Sequence, residues 1–112
     1  MAAGNYDIVI DQGADFALLI TIAEDGVATN LSSHTASAQL RPTPSSNTLT
    51  ATFTCTITDA ANGALKMSLG HATTANITAG KYYYDLEIYN SGLDSMARLI
   101  QGVARVTQNV TR

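Results

Sequence analysis

This chain has no tryptophan, a single cysteine, two prolines and only 13% charged residues. Each scarcity excludes something. With Cys55 alone, no intrachain disulfide can form, so the fold has to stand on packing. The six Lys and Arg are scattered over positions 41 to 112 without a run, and the formal net charge is -3. Nucleic acid or an acidic membrane would call for clustered cations, so neither is an expected partner. No stretch approaches the roughly 18 apolar residues of a membrane span, and MAAGNYDIVIDQG lacks a basic and then apolar leader pattern. The chain is expected to be soluble where it is made.

Catalytic vocabulary is also missing. There is no G-x-S-x-G, P-loop, H-E-x-x-H or C-x-x-C. His34 and His71 have no partners at metal-ligand spacing. Asp7, Asp11 and Asp15 recur every four residues, but the D-x-[DN]-x-[DN]-G calcium loop is absent. The expectation is therefore no catalytic residue, no cofactor and no metal.

What the chain does contain is alternation. In LTATFTCTIT, Leu49, Ala51, Phe53, Cys55 and Ile57 alternate with five threonines, the pattern of a half-buried strand with a hydroxyl-rich wet face. Cys55 then points inward as a small core residue, with no Lys, Arg or His adjacent to activate it. The same rule predicts strands over 5–11, with Tyr6, Ile8 and Ile10 inward, and over DFALLITIA, ended by Glu24-Asp25-Gly26. It predicts others in HTASAQLR, in ALKMSL after the DAANG turn, in GKYYYDLEIY, and from about Ser95 to Thr107, with a bulge at Gly102. HATTANIT lacks the alternation and reads as one helical turn between sheets. Pro42 to Asn47 reads as a mobile loop.

Seven short strands in 112 residues, without a long helical pattern, predict one domain over 1–112. It is an all-β, immunoglobulin-like antiparallel β-sandwich. Lacking a cysteine pair and tryptophan, it should resemble antibody domains in architecture alone. Within the tyrosine strand, Tyr82, Tyr84, Leu86 and Ile88 fall on the core side. Tyr83, Asp85, Glu87 and Tyr89 fall on the other, where two aromatics beside two carboxylates could meet a partner.

Four stretches also carry a family resemblance: NYDIVIDQGADFALLITI, TNLSSHTASAQLRP, KYYYDLEIY and RLIQGVARVTQNVTR. In their order the chain resembles small immunoglobulin-like structural proteins of tailed-bacteriophage virions, similar to the N-terminal domains of baseplate upper proteins. Asp7, Ile10, Gln12 and Gly13 match the first motif, and Leu31, Thr35, Gln39, Leu40 and Arg41 the second. Tyr84 to Glu87 match the third, and Gly102, Val106, Val110, Thr111 and Arg112 the last. The resemblance implies a non-catalytic virion protein, made in the host cytoplasm and present in multiple copies of a symmetric assembly. Its place would be as a tail or baseplate accessory or fibre adaptor that binds other virion proteins. A capsid decoration protein is an alternative in the same setting, and a carbohydrate-binding module using exposed tyrosines is one of another class. Expected contacts are edge strands, the loop with Pro42 and Pro44, the outward Tyr83 and Tyr89, and the closing segment with Val110 and Arg112.

Overall fold

The computed structural model of the chain describes residues 4–24, 26–90 and 96–110. Its strands are β1 (Gly4–Asn5), β2 (Ile8–Asp11), β3 (Phe16–Thr21), β4 (Ala23–Glu24), β5 (Val27–Ala28), β6 (His34–Arg41), β7 (Ala51–Asp59), β8 (Ala64–Leu69), β9 (Gly80–Asn90) and β10 (Met96–Thr107). A 3-10 turn at Ala60–Asn62 joins β7 to β8, and a one-turn helix, α1 (His71–Thr74), precedes β9. No helix among the described residues is long and apolar enough to cross a membrane.

Alternation builds two layers. The front layer runs β1 and β2, then β10, β9, β6 and the first residues of β7; the back layer is the rest of β7, then β8 and β3. β7 belongs to both: Ala51 and Phe53 pair with Leu40 and Ala38, while Thr54 to Asp59 pair along β8. Between the layers lie Ile10, Leu40, Met67, Leu86 and Ala104, all fully buried, with Leu31 and Leu65 nearly so. Phe53 sits at the centre of this core. Its ring lies 6.0 Å from Phe16 of the back layer and 6.3 Å from Tyr84 of the front, both in the tilted range that aromatic pairs prefer.

Two local features make the sandwich immunoglobulin-like. β2 runs parallel to the last strand, pairing Ile8 to Asp11 with Ala104 to Thr107 at the front edge. At the corner leading into β9, the Tyr82 hydroxyl donates to the Thr78 carbonyl at 2.6 Å, the tyrosine corner that fixes the start of this strand.

Several expectations shift in detail. The opening strand breaks into β1 and β2 at Tyr6 and Asp7, and Tyr6 is exposed rather than inward. Leu49 precedes β7 and is 46% exposed, so the alternation starts one pair later than the threonines suggest. Cys55 is half-buried, and burial pushes its thiol pKa up. The bulge lies at Leu99, between Arg98 and Ile100, not at Gly102. Gly102 is needed for another reason: a Cβ there would run into the Tyr6 carbonyl and stand 3.0 Å from Asp7 Oδ1. The turn expected at NSGLD, residues 90–94, lies outside the described residues from position 91 on.

The loop after β6 is a hydrogen-bonded turn. Ser46 N donates to the Thr43 carbonyl at 3.1 Å, Thr48 N to Ser46 Oγ at 3.0 Å, and Arg41 Nη1 to the Ser46 carbonyl at 3.2 Å.

Candidate functional site

Pairing register decides which side chains share the outer surface of the front layer. Along β9 the outward residues are Lys81, Tyr83, Asp85, Glu87 and Tyr89. Their neighbours form rows across the sheet. Arg105 of β10 lies beside Lys81. Arg41 and Val103 flank Tyr83, Gln39 and Gln101 flank Asp85, and Ser37 and Arg98 flank Glu87. An open groove of about 650 Å³ follows the middle rows, lined by Tyr83, Asp85, Glu87, Arg41, Gln39 and Gln101 among others.

Four of the chain's six cationic side chains, Arg41, Lys81, Arg98 and Arg105, therefore lie on one surface. Separation along the chain hid this. β6 and the consecutive strands β9 and β10 deliver them with no two adjacent in sequence, so a search for runs of Lys and Arg could not find the cluster. A search over residues of equal parity in paired strands could have.

The charges are ordered along the strands. Lys81, Arg105 and Arg41 occupy one end. Lys81 Nζ stands 5.4 Å from the centre of the Tyr83 ring, a cation–π contact, and Arg41 Nη2 donates to Gln39 Oε1 at 2.9 Å. Toward the other end, Arg98 pairs with Asp85 at 3.2 Å and donates to Gln101 Oε1 at 3.1 Å. This pair is largely solvated, so its stability contribution is about 0–1 kcal/mol. Glu87 and Arg105 have no ion-pair partner among the described residues.

The remaining sequence-derived positions fall in different places. Pro44 lines the groove beside Tyr83, and Pro42 is half-buried at the loop's start. Tyr89 shares the face but lies six residues along the strand from Tyr83, so the two rings form no continuous stacking platform for a sugar. Val110 is 87% exposed at a separate, shallower cleft beside the β2–β3 turn. Arg112 lies outside the described residues.

The three spaced aspartates do not converge. Asp7 Oδ1 accepts from Val103 N at 3.0 Å, Asp11 Oδ1 from Thr107 Oγ1 at 2.9 Å, and Asp15 Oδ1 from His71 N at 2.7 Å and His71 Nδ1 at 2.9 Å. These hydrogen bonds from His71 hold the Asp15 carboxyl below its ordinary pKa. Among the described residues, no three His, Cys, Asp or Glu side chains come together to hold a metal.

Many residues that carried the family resemblance prove to be framework. Gln12 Nε2 donates to the Ile77 carbonyl at 2.9 Å while its Oε1 accepts from Asn109 N at 3.1 Å. Tyr84 donates its hydroxyl to the Tyr6 carbonyl, and burial, with Asp7 and Tyr6 nearby, pushes its pKa up to about 12. Thr74, which sequence reading passed over, is fully buried. Its Oγ1 donates to the Ala14 carbonyl at 2.8 Å and accepts from Gly13 N at 3.1 Å, fastening the β2–β3 turn to α1.

No family model matches the chain, and no curated protein does. Among solved structures, a family 123 glycoside hydrolase from Clostridium perfringens aligns at 15% identity with a TM-score of 0.44. The match covers 97% of this chain, which spans about a quarter (24%) of that protein. The extracellular domain of the voltage-gated sodium channel β4 subunit aligns at 10% identity and TM-score 0.38, over 98% of this chain and 97% of that one. Another structure of sodium channel β subunits aligns at 12% and 0.41, over 96% of each. These likenesses are too distant to carry activity or partners to this chain.

Proposed function

We propose that this domain is a structural, non-catalytic protein of a tailed-bacteriophage virion. It would be a tail or baseplate accessory or fibre-adaptor module that holds another protein against its front sheet face. The observation that carries the interaction reading is the front surface itself, where four cations, two carboxylates and Tyr83 are presented on rigid paired strands around an open groove. Aromatic and arginine side chains are the residues most enriched in protein interfaces, and a sheet positions them more firmly than loops do. The virion setting is supported by the ordered sequence motifs Asp7 to Gly13, Leu31 to Arg41, Tyr84 to Glu87 and Gly102 to Arg112.

An electron-microscopy map of the particle that carries this chain tests the setting. Density for the domain in sixfold or threefold multiples on the tail is the expected result. Hundreds of copies on the head would replace it with the decoration role, and absence from purified particles would end the virion reading.

A further inference from the structure

The two layers end in edges of different kinds. At the front, the edge is made by β1 and β2, two and four residues long, broken at Tyr6 and Asp7 and closed by Asp11. Short, interrupted and charged strands are what keep a sheet edge from pairing with another chain. The back layer ends at β3, six residues with no charge, proline or bulge.

Register shows which groups β3 leaves free. Ile22 N donates to the Gly63 carbonyl at 2.8 Å, and the same ladder continues with Ile20 opposite Leu65, Leu18 opposite Met67 and Phe16 opposite Leu69. Along an antiparallel strand, residues that bond a given neighbour alternate with residues that turn their N–H and C=O away from it. Ala17, Leu19 and Thr21 therefore aim theirs at the open edge. Among the described residues, no strand or turn pairs with these groups. The side chains agree: Leu19 is 75% exposed, and the inward Phe16, Leu18 and Ile20 are only partly buried, because no strand lies beyond them.

We propose that the free edge of β3 is a self-association site. There β3 of a second copy pairs antiparallel about a two-fold axis at Leu19, joining two back layers into one continuous sheet. Leu19 then lies opposite its own mate and Ala17 opposite the second copy's Thr21. Each such pair exchanges two N–H···O=C bonds, so every group that β3 leaves free is used. On the inner side Leu18 meets the second copy's Ile20, and each copy covers the half-open margin of the other's core.

The occupant is a second copy because the edge requires an extended segment with apolar residues at alternate inward positions and no charge in its middle. β3 meets that requirement at reciprocal positions. The nearest cation is Lys66, beside Leu19 on β8. It would stand three strand spacings from its mate, about 14 Å, beyond the Debye length of about 8 Å in physiological salt. Carboxylates bracket the ladder only at its ends: Asp15, which His71 holds, and Glu24 on the β4–β5 hairpin. The ladder is about 20 Å long and the contact on the order of 300 Å² per copy. Specific interfaces bury about 800 Å² per partner, so this dimer belongs to the weak class.

Sedimentation of the full chain from about 10 μM to 1 mM tests the association. The wild-type chain should shift from monomer toward dimer as concentration rises. Raising salt from about 0.05 M to 0.5 M should not weaken it, since the contact is backbone and apolar with like charges at its ends. Leu19→Lys should weaken dimerisation at least tenfold, about 1.4 kcal/mol, while Thr54→Lys, exposed on β7, should leave it unchanged. Oxidative cross-linking in a Cys55→Ala background tests the register. Leu19→Cys should form a dimer disulfide, because Cα atoms of a directly opposed pair are about 5.5 Å apart. Ala17→Cys should not link to itself, its mate being more than about 13 Å away; mixed with Thr21→Cys it should. A wild-type chain that stays monomeric throughout overturns the proposal, as does a dimer that Leu19→Lys leaves intact or one in which Ala17→Cys links as readily as Leu19→Cys. The front-face reading would survive each of those results, because β3 lies in the other layer.

Discussion

The two outer surfaces of this sandwich obey the same alternation and look nothing alike. On the back, β7 and β8 present Thr54, Thr56, Lys66 and Ser68, and β3 presents Ala17, Leu19 and Thr21. Hydroxyls and one cation keep that surface wet, and Leu19, 75% exposed, is its main apolar departure. On the front, β6, β9 and β10 present four rows of side chains, each with a charge, and the Tyr83 ring among them. Parity alone says which residues face out. The proposed partner would read the charged and aromatic geometry of the front, so the back serves as its internal control.

Removing what both surfaces rest on gives the largest effect. Phe53→Ala empties the site between Phe16 and Tyr84 and should cost about 3–5 kcal/mol in denaturant melts, while Thr54→Ala, one residue along and outward, should cost a few tenths. Equal losses would put β7 out of register. Next is Thr74→Val, which leaves the Gly13 amide and Ala14 carbonyl without their buried partner and should cost about 1–3 kcal/mol. Gly102→Ala should be similar, about 1–3 kcal/mol from the forced displacement of Tyr6, and hydrogen exchange should rise at the Val103 amide held by Asp7.

Tyr84 gives a pH-dependent contrast. Its pKa in the folded chain, about 12, lies above the ordinary 10.0, so folding binds its proton more tightly. The contribution is complete below pH 10 and is lost as pH rises toward 12. Alkaline melts of Tyr84→Phe should lose that part of the slope; an unchanged slope would place the titration elsewhere. The smallest effect should come from the back surface, where replacing Thr54, Thr56 and Ser68 together by alanine should leave stability in denaturant melts within about 1 kcal/mol.

Strand identity was legible because burial on one side imposes period 2, and β6, β8 and β9 follow it residue for residue. Where the fold uses the backbone rather than side-chain polarity, the pattern gave no warning. The break at Tyr6 and Asp7 exists because this segment passes over Gly102, and nothing in Tyr6 itself distinguishes it from an inward residue. The bulge at Leu99 is a pairing property of two strands, invisible in either alone. The candidate face was half legible. Tyr83, Asp85 and Glu87 were placed on it by parity, while Arg41, Arg98 and Arg105 joined them only through register, which depends on tertiary pairing. Thr74 carries the same message from the interior, since a lone threonine in an irregular segment gives no sign of being the fully buried joint between two connections.

The parallel pairing of β2 with β10 has a mechanical meaning. A chain pulled from a point before β1 and a point after β10 loads this ladder along its length, so the strands must slide past one another rather than peel apart. The bonds from Tyr6 N to the Gln101 carbonyl and from Gln12 N to the Thr107 carbonyl, each 2.9–3.0 Å, would be strained together with the side-chain ties of Asp7 and Asp11. Resistance of that kind is shared and breaks all at once. The same edge strand that completes the front sheet thus makes the domain a link that holds under tension and then yields abruptly.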